Sequence, residues 1–505
     1  MNNNFREMQE NPFWRSQPQF PSFQKLSTDI HVDVAVVGGG ISGITTAYLL
    51  AKEGLSVALL EADTILNGTT GHTTAKITAQ HNLIYNELIQ HIGEEKARFY
   101  YEANHEALQF IEKMIQKNEI QCDFSREDSY LYCTSAQSSE QLYQEFKAYE
   151  KLSIRGELVE KLPLAIPISS ALVMQNQAQF HPVLYLLHMI DLFIKAGGCV
   201  YEHTVAIDIQ EGSHPRVITK DGPAVICNYV VSCSHFPFYD KGLFFTKMYA
   251  ERSYVLGIKT KQPFPGGMYL SIDEPVRSLR FTPLNGERLV IVGGESHKTG
   301  QGIDTAVHYE ALQAFADDVL GIESIQYKWS AQDLQTLDKI PYIGAMSSEN
   351  PNIFVATGYK KWGMTTGTAA ALLIQDLIME RSNPYRDLFT PSRFLADPSI
   401  KHFLMTNGDV AKHLIEGKLE FPLREPEDLM NEEGSVVRFN GKRAGAYRDC
   451  EGKLHIVDTT CTHLGCELEW NDGDSTWDCP CHGSRFSTDG DVVEGPAIKP
   501  LDKLT

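Results

Sequence analysis

Residues 31–63 read HVDVAVVGGGISGITTAYLLAKEGLSVALLEAD. Val32 to Val37 is a short β-branched run, the pattern of a parallel strand buried on both faces. Gly38-Gly39-Gly40 breaks it. Ser42 to Glu53 carries helical spacing, with Ile44, Ala47, Tyr48, Leu50 and Ala51 placed to cover a sheet, and Gly54 is the expected stop. Val57 to Leu60 is a second strand, closed by Glu61. The turn is Gly38-x-Gly40-x-x-Gly43, with Ile41 and Ser42 at the helix start. Its glycines permit a tight turn and let the backbone approach a pyrophosphate. The helix N-terminus offers N–H groups and positive partial charge to that group. Glu61, about twenty residues on, can accept from ribose hydroxyls. The glycine pattern alone is a weak signal. Strand, turn, helix, strand and acid in that order read as a dinucleotide-binding unit.

Working outward, the chain of 505 residues has room for two to four domains at roughly 150 residues each. Hydrophobic residues make up 42%, enough for sizeable cores. A net charge of -20 disfavours nucleic acid and anionic membranes as partners, since both need basic patches. The polar start, MNNNFREMQENPFWRSQPQF, lacks a secretory pattern, and no apolar run reaches about 18 residues. A cytoplasmic protein without a membrane span is expected.

Residues 1–29 read as a polar leader. Between 80 and 340 helical and strand patterns mix. His81 to Lys117 and Pro182 to Ala196 look helical. Val200 to Val205, 225 to 232 and 288 to 293 look like strands. Asn352 to Thr357 is a strand into Gly358, and Gly367 to Glu380 is a helix. The alternation predicts an α/β core with an inserted α+β region. Residues 381–424, with several prolines and charged clusters, read as a connector. From 425 to 505 the pattern is all-β: strands Ser435 to Phe439, Lys442 to Arg448 and Lys453 to Val457, with Asn440-Gly441 as a hairpin turn.

Four stretches carry a resemblance beyond the first turn: NGTTGHTTAKIT (67–78), FHPVLYLLHMIDLFIKAGG (180–198) leading into VYEHTVAIDI (200–209), LDKIPYIG (337–344), and IFVATGYKKWGMTTGTAA (353–370). With VAVVGGGISG and LLEAD, they make residues 30–380 resemble the FAD-dependent D-amino-acid oxidase and glycine oxidase superfamily. The resemblance implies a Rossmann-like FAD-binding domain with a substrate domain. It implies flavin neighbours at Thr69, Thr70, Thr73, Thr74, Val205, Gly358, Gly363, Met364 and Thr365. Glycine oxidase-like enzymes carry an arginine for the substrate carboxylate before the LDKIPYIG-type segment; here WSAQDLQTLDKIPYIG puts Asp333 there. An acid repels a carboxylate and attracts an amine cation, so an amine is favoured over an α-amino acid. Lys360 and Lys361 can still place positive charge near the ring.

The other chemistry-bearing region is CTHLGC (461–466) and CPCHGS (479–484). Cys461-x-His463 and Cys479-x-x-His482 offer two thiolates and two imidazoles. Such ligand types fit a zinc site, and the cysteines alone fit a disulfide scaffold. A [2Fe–2S] cluster with two cysteines on one iron and two histidines on the other fits as well. Residues 430–505 strongly resemble the Rieske family. That resemblance implies ligands Cys461, His463, Cys479 and His482, a disulfide between Cys466 and Cys481, and a covering loop at Gly495-Pro496-Ala497. It implies that Ser484 donates to a cluster sulfide. Phe486 stands where quinol-oxidising members have a hydrogen-bonding tyrosine, so a lower potential is expected.

Together the two ends suggest a flavin enzyme oxidising a C–N bond of an amine or amino acid, exchanging single electrons with the cluster and an external acceptor or donor. Alternatives are an O₂-using oxidase with the cluster as a redox sensor, or a non-catalytic redox-responsive binding protein. A Rieske oxygenase would need a mononuclear iron site, usually with an H-x4-H spacing, and none of the 17 histidines are so placed. No catalytic base stands out.

Overall fold

A computed structural model of the protein describes residues 9, 11–302, 304–393, 405–410, 412–414 and 424–504. About half of the expected connector 381–424 and the start of the expected leader lie outside the described residues.

The opening strand–turn–helix unit sits at the middle of a six-stranded sheet. Its order is Tyr342–Ala345, Ile353–Thr357, Tyr229–Ser232, Val34–Val37, Val57–Leu60, Cys199–Tyr201. Neighbours run parallel, except that Tyr342–Ala345 is antiparallel to Ile353–Thr357. Alternate residues feed two cores. Val34, Val36, Val57 and Leu59 pack with the helices Ile41–Lys52, Pro182–Lys195 and Gly363–Ile378. Ala35, Val37, Ala58 and Leu60 face Phe244, Met248 and Leu334 on the other side. Burial on both faces is why the central strand carries no polar residue.

A small four-stranded sheet joins Ile30–His31, Ala224–Ile226, Arg216–Thr219 and Ala206–Gln210. The run 225–232, expected as one strand, is therefore two strands in different sheets. The chain steps between them at Asn228, where Asn228 and Tyr229 both donate to the Asp33 carbonyl. The expected inserted region is built on a nine-stranded sheet. Ile322–Thr336 ends one side of its path and Lys76–Ile77 the other. Helix Tyr85–Asn118 kinks at Gly93, where φ is 82°. The helix expected from Gly367 begins a turn earlier, at Gly363.

The described part of the expected leader packs against the rest of the protein. Phe13 and Trp14 are fully buried in the main core, and Trp14 Nε1 donates to the Thr73 carbonyl at 2.6 Å. An aromatic pair in a polar stretch, NPFWRS, was the available signal.

The C-terminal region is all-β. Glu433–Phe439, Lys442–Arg448 and Leu454–Val457 form one antiparallel sheet; Glu469–Asn471, Thr476–Asp478, Arg485–Phe486 and Val492–Glu494 form another. Asn440 and Gly441 have φ of 49° and 76°, as a two-residue hairpin of the favoured hand requires.

This region is docked on the flavin-type domain through buried charge. Arg252, with no exposed surface, meets Glu494 at 2.5 Å, Asp474 at 3.7 Å and Asp478 at 3.8 Å. Arg485 answers the same three acids from its own side. Gln332 ties the seam together: its carbonyl accepts from Thr69, and its amide donates to the Gly483 carbonyl at 3.0 Å. Gly483, at φ 79°, has no room for a side chain against Ala250.

Candidate functional site

A cavity of about 620 Å³ runs from the glycine-rich turn to the seam between the two regions. That is the size of a cofactor or small-ligand site. Gly38, Gly40, Ile41, Ser42 and Glu61 line it, with Thr69, Thr70, Thr73, Thr74, Val205, Gly363 and Met364. Glu61 is held in place by the N–H groups of Gly39 at 2.7 Å and Asp63 at 3.1 Å. Burial pushes its carboxyl up, against those hydrogen bonds. Thr70 accepts from the Ile41 N–H at 3.2 Å, fixing the first loop against the helix start.

Three of the expected cofactor-binding residues do not line the cavity. Gly43 allows the helix to press on the Gly38 carbonyl, where a Cβ would clash. Gly358 sits at φ 79° beneath Thr336 and Met248. The Thr365 hydroxyl points to the Thr78 carbonyl and His81, each at 3.1 Å. These residues shape the walls, and the sequence pattern alone does not separate wall from lining. The cavity also takes residues outside the quoted stretches, among them His235, Phe236 and 491–494 of the C-terminal region, and Lys76 and Trp362, which lie inside those stretches but were given no role there. They come from strand ends and loops whose only shared property is where the sheets bring them.

Asp333 lines the cavity, while Lys360 does not and Lys361 does. Burial pushes Asp333 up to about 6, opposed by Lys361. Lys361 is not a free cation: its ammonium lies 3.3 Å from Glu251.

The two cysteine–histidine loops follow strands Leu454–Val457 and Thr476–Asp478. They bring Cys461 and Cys479 into side-chain hydrogen-bond contact, and the rings of His463 and His482 to 5.1 Å, edge to face. His463 Nδ1 is buried with no hydrogen-bond partner among the described residues. Burial, with His463 alongside, pushes His482 down to about 4. Neutral imidazoles and paired thiols are the donor set that a histidine-ligated [2Fe–2S] cluster needs. Cys466, Cys479 and Cys481 have sulfurs within 4.8 Å of one another, but Cys466 and Cys481 are joined as a disulfide, with Cα atoms 6.5 Å apart. Cys479 is the thiol that remains of those three. Ser484, fully buried, accepts from the Ala497 N–H at 3.0 Å and reaches Cys461. The covering loop is thereby tied to the cluster pocket. Phe486 packs in the same small core as the four cysteines.

A dinucleotide cavity of this α/β type, joined to a pocket of paired thiols and imidazoles, defines a flavoprotein oxidoreductase with an iron–sulfur centre. The family FAD dependent oxidoreductase (DAO) matches residues 33–377, and the Rieske [2Fe-2S] domain matches residues 420–505. The chain belongs to that oxidoreductase family and carries a Rieske domain; its cofactors are FAD and a [2Fe–2S] cluster. It is 52% identical over 504 residues to YhfW of Bacillus subtilis (strain 168), named as a Rieske 2Fe-2S iron-sulfur protein, covering 100% of this chain and 99% of that one. It is 23% identical to the gamma-glutamylputrescine oxidoreductase of Escherichia coli (strain K12), over 72% of this chain and 87% of that one. Glycine oxidase from Geobacillus kaustophilus has the same fold, with a TM-score of 0.61 at 20% identity, over 72% of this chain and 99% of that one. No described helix is long and apolar enough to cross a membrane.

Proposed function

We propose that the protein oxidises a C–N bond of a small amine or amino acid at the flavin and passes the electrons through the Rieske cluster to an external acceptor. Bound FAD supplies hydride acceptance, and the cluster supplies one-electron transfer. The observation that carries the reading is a shared wall. Phe236 lines the cofactor cavity, and its ring lies 6.1 Å from the His463 ring. Phe245 lies 5.5 Å from the ring of His482. One aromatic side chain therefore separates the cavity from a cluster ligand. Residues 491–498 close the same cavity from the Rieske side. The Arg252–Glu494 ion pair holds the two regions at that approach.

The chain's own residues orient a substrate and keep water out. Val255, Leu270 and Met364 give the cavity apolar walls. Asp333, ionised above about 6, attracts the cationic form of an amine. Family names among the relatives, a gamma-glutamylputrescine oxidoreductase and glycine oxidases, favour a C–N substrate as well.

An anaerobic screen of amines and amino acids, following flavin bleaching and the reduced-cluster EPR signal together, tests the proposal. A substrate should bleach the flavin and raise the cluster signal in proportion. Bleaching with no cluster signal, and stoichiometric peroxide in air, would replace it by an oxidase whose cluster is a sensor.

A further inference from the structure

We propose that Lys76 is the anion-binding residue of the substrate compartment, and that the amine oxidised here carries a carboxylate remote from its nitrogen. The inference rests on the amine-oxidising reading of the cavity and adds the substrate's second charge.

Lys76 lies on the two-residue strand Lys76–Ile77, paired with Gln179 and Ala178, and lines the cavity beside Leu270, Val276 and Ser278. Its Nζ donates to the Tyr269 carbonyl at 3.5 Å. An ammonium has three donors, so two remain. No carboxylate among the described residues forms an ion pair with it. The charge that acts on it is another cation, Arg280, and burial together with that charge pushes Lys76 down to about 7.

Arg280 cannot take a ligand itself. It is 1% exposed, and its guanidinium donates to the carbonyls of Phe281, Thr74, Ala75 and Phe180. It is a fixed positive background behind a lysine whose donors are not used up. Glu127 and Asp123 offset the charge of Arg280, but no acid acts on Lys76, so its charge in the low-dielectric wall stays uncompensated. An anion arriving in the cavity completes the set. Lys361 makes the contrast, since it lines the same cavity with Glu251 already beside it.

The position of the opposite charge sets the spacing. Asp333 stands on Ile322–Thr336 and Lys76 on Lys76–Ile77, the two ends of the nine-stranded sheet's path. Asp333 is not among the charges that act on Lys76. The two line the cavity from different strands. In an α-amino acid the ammonium and carboxylate are two bonds apart and would serve only groups that lie together. An amine separated from its carboxylate by an aliphatic spacer can serve groups that lie apart.

The test uses the FAD- and cluster-loaded protein without turnover. Dissociation constants for glycine, 4-aminobutyrate, 6-aminohexanoate and butylamine are read from perturbation of the flavin spectrum. One spaced amino acid should bind at least about tenfold more tightly than butylamine or glycine, as one charge-assisted hydrogen bond predicts. Lys76→Met should remove that advantage and leave butylamine unchanged; Lys76→Arg should keep it. Should Lys76→Met fail to retain FAD, Lys76→Gln and the unmodified protein's preference decide. No advantage of the spaced compounds, or an advantage untouched in the lysine variants, overturns the inference. Lys76-dependent binding without flavin bleaching by any compound would leave the anion site standing and remove the amine-oxidising reading instead.

Discussion

The cavity proposed for FAD and the pocket proposed for the cluster would hold their cofactors in opposite ways. The cavity is assembled from backbone and small polar groups at 38–42, 61, 69–74, 205 and 363–364, contributed by strand ends across the whole domain. The pocket is four side chains on two short loops, Cys461, His463, Cys479 and His482, inside a core of a few residues. A distributed site loses little when one contact goes. A ligand-exchange site loses everything. The largest effect expected from a single substitution follows. Cys479→Ser should abolish the Rieske EPR signal while FAD content stays stoichiometric. Thr70→Ala removes the partner of the Ile41 N–H and should weaken FAD retention by only about 1 kcal/mol, measured by flavin release in denaturant. Loss of both cofactors from Cys479→Ser would break the contrast.

Between the two sites lies a seam that resembles neither. Arg252 is wholly buried against Glu494, Asp474 and Asp478. Replacing one partner of such a set strands the others, at a cost of about 3–5 kcal/mol. Arg252→Met should lower unfolding stability by that amount. It should also slow flavin-to-cluster electron transfer, seen by stopped flow, with both resting spectra intact. An unchanged transfer rate would mean that docking is maintained by the Phe236 and Phe245 contacts instead.

Legibility in the sequence follows the same divide. The glycine turn and the Cys/His boxes are local patterns, and each chemical role lies within a few residues of its neighbours. The seam is not local: Arg252 and Glu494 are 242 residues apart, and an arginine in YAERSYVLG looks like an ordinary strand residue. Trp14 was hidden because its partner, the Thr73 carbonyl, is 59 residues on and has no side-chain signature. The helix at Gly363 was read late because its start has no side-chain cap: Trp362 stands at the N-cap and makes no capping hydrogen bond. The break at Asn228 depends on the Asp33 carbonyl, again a distant backbone group.

The cavity and the seam also differ in their response to pH. Asp333 in the cavity is pushed up to about 6 by burial, with Lys361 opposing. Its carboxyl is neutral below that value and charged above it, so it holds an amine cation only at the higher pH. Butylamine should bind about tenfold more weakly at pH 5 than at pH 7, one unit of protonation cost. Asp333→Asn should flatten that profile. Glu494 at the seam goes the other way: burial alone would raise it, but Arg252 and Arg485 hold it down at about 2. Docking should therefore be insensitive across the range in which amine binding changes.

The smallest expected effect lies at the cluster. Ser484 and Phe486 share its small core but differ in hydrogen-bonding capacity. The Ser484 oxygen accepts from Ala497, which leaves its own proton free to point at the cysteine side of the pocket. A donor there stabilises the reduced, more negative cluster. Ser484→Ala removes about 1 kcal/mol of that stabilisation, which for a one-electron couple is roughly 40 mV of potential, downward. Phe486 has no donor to give, and Phe486→Tyr should raise the potential by a similar amount. If Ser484→Ala also lowers flavin-to-cluster transfer beyond what that shift explains, the Ala497 tie is positioning the covering loop as well as Ser484 tuning the cluster. The two are separated by following transfer rate against measured potential in both variants, since a purely electronic effect puts Ser484→Ala and Phe486→Tyr on one line.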